Sequence, residues 1–164
     1  MLKAYSKLLD VIEKIEKAFL AAAMAVMIVD MIYQVIMRYI FNSANAWSEE
    51  LARYLFIFEV MIAAAIAVRK NSHLQIDVLI NCFKPRTKTI FTIVSTLVGI
   101  VFLAFLLVYS IGLVQTGNSN ISVGLNIPMS IPYVSVPIGV VLMLLTSVEV
   151  VLKNIQELKE GHEG

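Results

Sequence analysis

The chain has 164 residues, of which 59% are hydrophobic and only 15% charged, with a formal net charge of +1 and a mean hydropathy of +0.84. Soluble domains carry about 25% charged residues, so this composition excludes a soluble domain, and the near-zero charge argues against a nucleic-acid partner. A single cysteine, Cys82, leaves no intrachain disulfide to form.

Four apolar stretches, at about 18–41, 47–69, 89–115 and 132–152, each approach the ~20 residues that cross a ~30 Å hydrocarbon core as a helix. They are too long for barrel strands of about 9–11 residues. Backbone groups in lipid must be satisfied within the segment. The expected fold is therefore all-α: an integral membrane protein with four transmembrane helices, read as one membrane domain over 1–164.

In chain order, residues 2 to 19 place Leu2, Tyr5, Leu8, Leu9, Ile12, Ile15 and Phe19 at intervals of three or four, with Lys7, Asp10, Glu13, Lys14 and Lys17 elsewhere. This spacing predicts an amphipathic extension leading into the first span, a helix suited to the lipid interface. Lysines before "AFLAAAMAVMIV" imitate a signal peptide, but the apolar pattern runs on to Phe41, too long for one, so an uncleaved first span is expected. Between the second and third spans, Lys70, His73, Asp77, Asn81 and Lys84 form a polar stripe beside Leu74, Ile76, Leu79 and Phe83. A short interfacial helix at about 72–84 is expected, ended by Pro85. The third connection is rich in Gly, Asn and Ser and runs into Pro128, Pro132 and Pro137. A fourth helix starting near Pro132 would hold Pro137 one turn inside, with a mild kink or a delayed start. Tyr39, Trp47 and Tyr133 suit an aromatic belt.

Of the thirteen Lys and Arg residues, eleven fall on one side: Lys3, Lys7, Lys14, Lys17, Arg69, Lys70, Lys84, Arg86, Lys88, Lys153 and Lys159. Only Arg38 and Arg53 fall on the other. The positive-inside rule then puts both termini in the cytoplasm and argues against a dual topology. The two halves show no repeat that would suggest an inverted-repeat transporter.

Two acids, Asp30 and Glu59, each lie about twelve residues from the start of their span and so are expected near the same mid-membrane depth. Adjacent acids would raise each other's pKa or share a proton. They form either a proton or sodium relay, or hydrogen-bonded acids facing a neighbouring helix or subunit. The lack of a mid-membrane charge in the later spans favours the second. At the first connection, Glu49 and Glu50 precede Arg53 by four and three residues, and Arg38 ends the first span. One outer-rim charge cluster is expected, fixing the hairpin or a subunit contact, or simply solvating the helix ends. His73 and Asp77 at i, i+4 fall short of the three protein ligands a zinc site needs. No metal, cofactor or catalytic constellation emerges, so no enzyme is expected.

In combination, Arg38, "WSEELARYLF", the small-residue second span, "AVRKNSHLQIDVL" and "LNIPMSIPYVSVPIGVVLM" resemble the small, DctQ-like membrane subunit of tripartite ATP-independent periplasmic (TRAP) transporters over roughly residues 30 to 145. Carried over by position, the residues marked in that family fall on Arg38, Trp47, Glu50, Arg53, Arg69, His73, Asp77, Pro128, Tyr133, Pro137 and Gly139. The resemblance implies a bacterial inner-membrane scaffold that holds a large multispanning transport subunit. That subunit would work as a sodium-driven elevator on a carboxylate of the C4-dicarboxylate or sialic acid class, delivered by a periplasmic binding protein. The chain departs from the family pattern at Ser130, at "IAAAIAV", where glycine is common, and at Glu59. The competing reading is a self-contained four-span proton-coupled transporter using Asp30. A membrane anchor recruiting soluble partners through residues 2–19 is a third.

Overall fold

The computed structural model describes residues 2–43, 45–70 and 85–160, and the expected interfacial helix at 72–84, with His73 and Asp77, lies outside them. The described elements are α1 (Leu2–Tyr39), α2 (Ala46–Arg69), α3 (Pro85–Gly117), a single turn α4 (Ser130–Tyr133) and α5 (Ser135–Glu160). Four helical stretches are long and apolar enough to cross a membrane: Ala4–Tyr39, Ala46–Arg69, Thr89–Gly117 and Ser130–Leu158. The protein is an all-helical, multi-pass membrane protein.

The spans pack side by side in the order α1, α2, α5, α3, with α2 and α5 inside the row and α1 and α3 at its edges. Burial follows that order. Each edge helix buries one narrow seam: Leu9, Glu16, Ala23 and Asp30 on α1, and Thr96, Leu103, Ser110 and Gly117 on α3, each set spaced by sevens. A seven-residue repeat keeps one seam against one neighbour and favours a shallow, left-handed crossing near +20°. The inner helix α5 instead buries residues all along its length, from Ser135 through Val140, Met143 and Ser147 to Val150. Ala65, Leu103, Val140 and Met143 form the core between α2, α5 and α3.

Small and hydroxylated residues make these seams possible. A Cβ on Gly139 would lie 2.7 Å from Met61 Cβ and 3.0 Å from Met61 O, so only glycine allows α5 to press this closely on α2. Thr96, Ser110, Thr146 and Ser147 are buried, and each hydroxyl donates to a carbonyl three or four residues back in its own helix. Their polar atoms are thereby satisfied without a partner helix.

The amphipathic extension is continuous with the first span as one helix of 38 residues, about 57 Å at ~1.5 Å per residue. Part of its polar side reaches protein, while Lys7, Lys14 and Lys17 stay exposed. Tyr5 donates to the carbonyl of Leu145, while Asp10 and Glu13 reach the same arginine as Glu149. A helix running strictly antiparallel to α5 would carry Tyr5 beyond Glu149, so this part of α1 crosses α5 obliquely.

The last span is interrupted one turn after its start by proline chemistry. Pro137 has no N–H to offer the carbonyl of Tyr133, so α4 ends there and α5 restarts at Ser135. Pro137 then occupies the first turn of α5, where a missing N–H costs little.

Candidate functional site

The polar groups gather at two ends of the row. At one end, α2 terminates in Arg69, whose side chain is 9% exposed and whose guanidinium is held by carboxylates from two other helices. Its Nε donates to Glu149 Oε2 at 2.7 Å and Nη2 to Glu149 Oε1 at 3.2 Å, a fork that matches the planar guanidinium. Nη2 also reaches Asp10 Oδ1 at 2.6 Å, and Nη1 donates to Glu13. Lys17 pairs with Glu13, and Lys153 with Glu149 at 2.7 Å. Three cations thus face three carboxylates. The cluster is neutral as a whole, the condition under which charges tolerate burial. It joins α1, α2 and α5.

Nothing in the apolar pattern singles out Asp10, Glu13 or Glu149. The available signal was Glu149 inside the apolar run 132–152 with Lys153 one turn on. Glu16, one turn beyond Glu13, is also buried, and its Oε1 has no hydrogen-bond partner among the described residues.

At the opposite end the expected single charge cluster is divided into three. Arg38 pairs with Glu49 at 2.7 Å, with side chains 58% and 50% exposed. Glu50 turns away to the connection between α3 and α4, accepting from the amide of Leu125 at 3.0 Å, with the Val123 and Gly124 amides and the Ser122 hydroxyl against the same carboxylate. Arg53 is exposed and makes no ion pair with any described residue.

That connection is a small hairpin, bridged at Ile121 and Pro128. Bonds from Ser122 N to Ile127 O and from Met129 N to Asn120 O hold it. Asn126 takes φ 55°, which asparagine tolerates better than most residues. A Cβ on Gly124 would meet the Ala46 carbonyl at 2.7 Å, so glycine lets the hairpin seat on the first turn of α2. Trp47 stacks at a tilt on Tyr33, 5.7 Å between centroids, and Asn45 donates to the Tyr33 hydroxyl at 2.9 Å. Tyr133 packs its ring where Gly117 has no side chain.

The two intramembrane acids do not share a depth. Asp30 accepts from the buried Ser48 hydroxyl and from Gln34 Nε2 at 2.9 Å, which sets it level with the first turn of α2. Glu59 lies eleven residues farther along α2, about 16 Å at ~1.5 Å per residue. Equal counting from the estimated span ends failed because α1 extends past the start of α2. The two acids cannot share a proton. Both Asp30 oxygens are already engaged, which disfavours the Asp30-driven transporter. Glu59 is buried, 6% exposed, with Oε1 unpartnered among the described residues. No group of three or more His, Cys, Asp or Glu side chains suited to a metal ion occurs among the described residues.

This geometry defines a class: a polytopic helical membrane protein whose paired charges tie helix to helix or helix to loop, with no catalytic constellation among the described residues. The family model for the DctQ component of tripartite ATP-independent periplasmic transporters matches residues 27–157, and the chain belongs to that family. It is 25% identical over 151 residues to the sialic acid TRAP transporter small permease protein SiaQ of Vibrio cholerae, covering 92% of this chain and 87% of that one. It is 29% identical over 106 residues to the C4-dicarboxylate small permease protein DctQ of the same organism, 65% of this chain and 46% of that one. It is also 29% identical over 136 residues to the isethionate TRAP transporter permease protein DctMQ of Oleidesulfovibrio alaskensis, 78% of this chain but 21% of that much longer protein. These relatives are transporter subunits, not enzymes.

Proposed function

We propose that this chain is the non-catalytic small subunit of a TRAP system: a scaffold that binds and positions a large elevator-type permease subunit for sodium-driven uptake of a carboxylate. The observation that carries the reading is the single-layer row. The four described spans, in the order α1, α2, α5, α3, enclose no central path among the described residues. They present broad apolar faces suited to lipid on one side and a larger protein on the other. Support for the partner comes from the relative named DctMQ, of which a segment like this chain makes up about a fifth. The rest of that polypeptide is then the large component. A periplasmic binding protein delivers the substrate, and the Arg69 end, where the basic residues concentrate, lies in the cytoplasm of a bacterial inner membrane.

The substrates printed for the relatives differ, a sialic acid, C4-dicarboxylates and isethionate, yet all are organic anions. The described buried residues of this chain include no cationic pocket facing a path, so anion selectivity falls to the other subunits. The test is copurification in mild detergent with the large subunit of the same organism, followed by uptake in proteoliposomes. A stable complex is expected, with uptake lost when this chain is omitted. A chain that purifies alone, with uptake intact without it, refutes the proposal.

A further inference from the structure

One open face of α2 carries charge inside its span, where the exposed faces of α3 from Val94 to Val108 and of α5 from Ile138 to Leu152 carry none. Glu49, Arg53, Phe56, Val60 and Ala63 are all exposed and spaced 4, 3, 4, 3 along the helix. The other sides of α2 are occupied, by α1 through Ser48 and Phe58 and by α5 through Met61 and Ala65. The exposed stripe has the same seven-residue periodicity as the two edge seams that do find a neighbour, Leu9 to Asp30 on α1 and Thr96 to Gly117 on α3. The spacing alone does not set it apart, since exposed residues recur the same way on α3 (Val94, Val98, Val101, Phe105, Val108) and on α5 (Ile138, Val141, Leu145, Val148, Leu152); the charge on the stripe does.

The open face of α3 offers the contrast. There Val94, Val98, Val101, Phe102, Phe105 and Val108 are exposed without a charge among them, which suits lipid. On α2 the stripe carries a guanidinium six residues, about 9 Å, inside Trp47, on the membrane side of the aromatic level. Arg38 and Glu49 are already paired with each other, so Arg53 stands alone among the described residues. An unpaired arginine this far inside the belt calls for an anionic group at its own depth. Below it the stripe tapers from Phe56 through Val60 to Ala63, so a helix crossing it can approach closely at the small end.

We infer that the Glu49–Ala63 stripe of α2 is the seam on which a transmembrane helix of the large permease subunit docks, with an aspartate or glutamate of that helix paired to Arg53. The inference rests on the scaffold reading above and adds which helix and which charge make the contact.

The test uses the full chain coexpressed with the tagged large subunit. A benzophenone amino acid is placed singly at Phe56, Val60 or Ala63, or for comparison at Val98, Val101 or Phe105. Illumination is expected to give adducts with the large subunit from the α2 positions, at least fivefold above the α3 positions. In parallel, Arg53→Glu lowers recovered complex at least tenfold and Arg53→Lys retains most of it. Replacing one acid by lysine in the cross-linked partner helix then restores the Arg53→Glu complex. Should Arg53→Glu not fold, the cross-links, made with Arg53 intact, decide alone. Adducts from α3 and not α2 within an intact complex overturn this seam while leaving the scaffold reading standing. Arg53→Glu assembling normally also overturns it, and assigns the guanidinium to a lipid phosphate. Failure of the unsubstituted chain to form a complex overturns both.

Discussion

Both ends of α2 carry arginines, and the two ends treat them in opposite ways. Arg69, its side chain 9% exposed, is enclosed by three carboxylates from α1 and α5, whereas at the loop end Arg38 of α1 meets one half-exposed partner and Arg53 meets none among the described residues. Residue type does not separate them. What differs is how many helices converge: at the Arg69 end the oblique half of α1 brings acids over the junction of α2 and α5, and at the loop end α1 and α2 meet largely through neutral hydrogen bonds and stacked rings. A charge in a membrane protein becomes structural where neighbouring elements can surround it, and remains available for a partner where they cannot.

Four perturbations grade this contrast from the largest effect down. Arg69→Met strands Glu149 and Glu13 with only their flanking lysines, and breaking a buried ionic group from one side costs about 3–5 kcal/mol. A loss of folded protein in detergent by size-exclusion chromatography is expected. Arg69→Lys rescues poorly, since an ammonium cannot reproduce the fork to Glu149, while adding Glu149→Gln to Arg69→Met recovers part of the loss. Full stability of Arg69→Met would reduce the cluster to surface pairing.

Gly139→Val tests the apolar contact midway between the ends. Its side chain would start 2.7 Å from Met61 Cβ, forcing α5 off α2 at about 1–3 kcal/mol, seen as a lower thermal midpoint in detergent. An unchanged midpoint would mean that the two helices separate at no cost.

At the loop end, Asp30→Leu leaves the Ser48 hydroxyl buried without its acceptor, a loss of about 1–3 kcal/mol. Asp30→Asn keeps an acceptor and should stay near wild type in both stability and uptake. An intact Asp30→Asn complex that no longer transports would revive a proton-coupled role for this acid. Smallest of all, Arg38→Ala removes a half-exposed pair worth about 0–1 kcal/mol. Its effect on the thermal midpoint should fall within error and vanish at high salt. A shift comparable to that of Arg69→Met would show that exposure does not decide the value of these pairs.

Much of the architecture was legible because the bilayer constrains it tightly. Apolar run length gave helices, and the quoted motifs carried the family resemblance that the family match bears out. The prolines mark the place where the last span is interrupted, between Tyr133 and Ser135. The polar clusters were less legible. Glu49, Glu50 and Arg53 are neighbours on paper and lie within about 100° of one another around α2, yet Glu50 is taken up by the 122–125 hairpin and Glu49 by Arg38, contacts that other segments supply. The partners of Arg69 lie 56 to 80 residues away on other helices, beyond the reach of any local spacing.

The sequence by itself determined that this protein crosses a membrane as helices and joins a transporter family, because solvent preference and segment length act residue by residue. Only the tertiary structure decided that the spans lie in one row, that Asp30 and Glu59 are about 16 Å apart in depth, and that Arg69 is enclosed while Arg53 is left open. These are properties of helix register and crossing, fixed by close contacts such as Gly139 on Met61 and by ion pairs between distant segments, and no single segment encodes them.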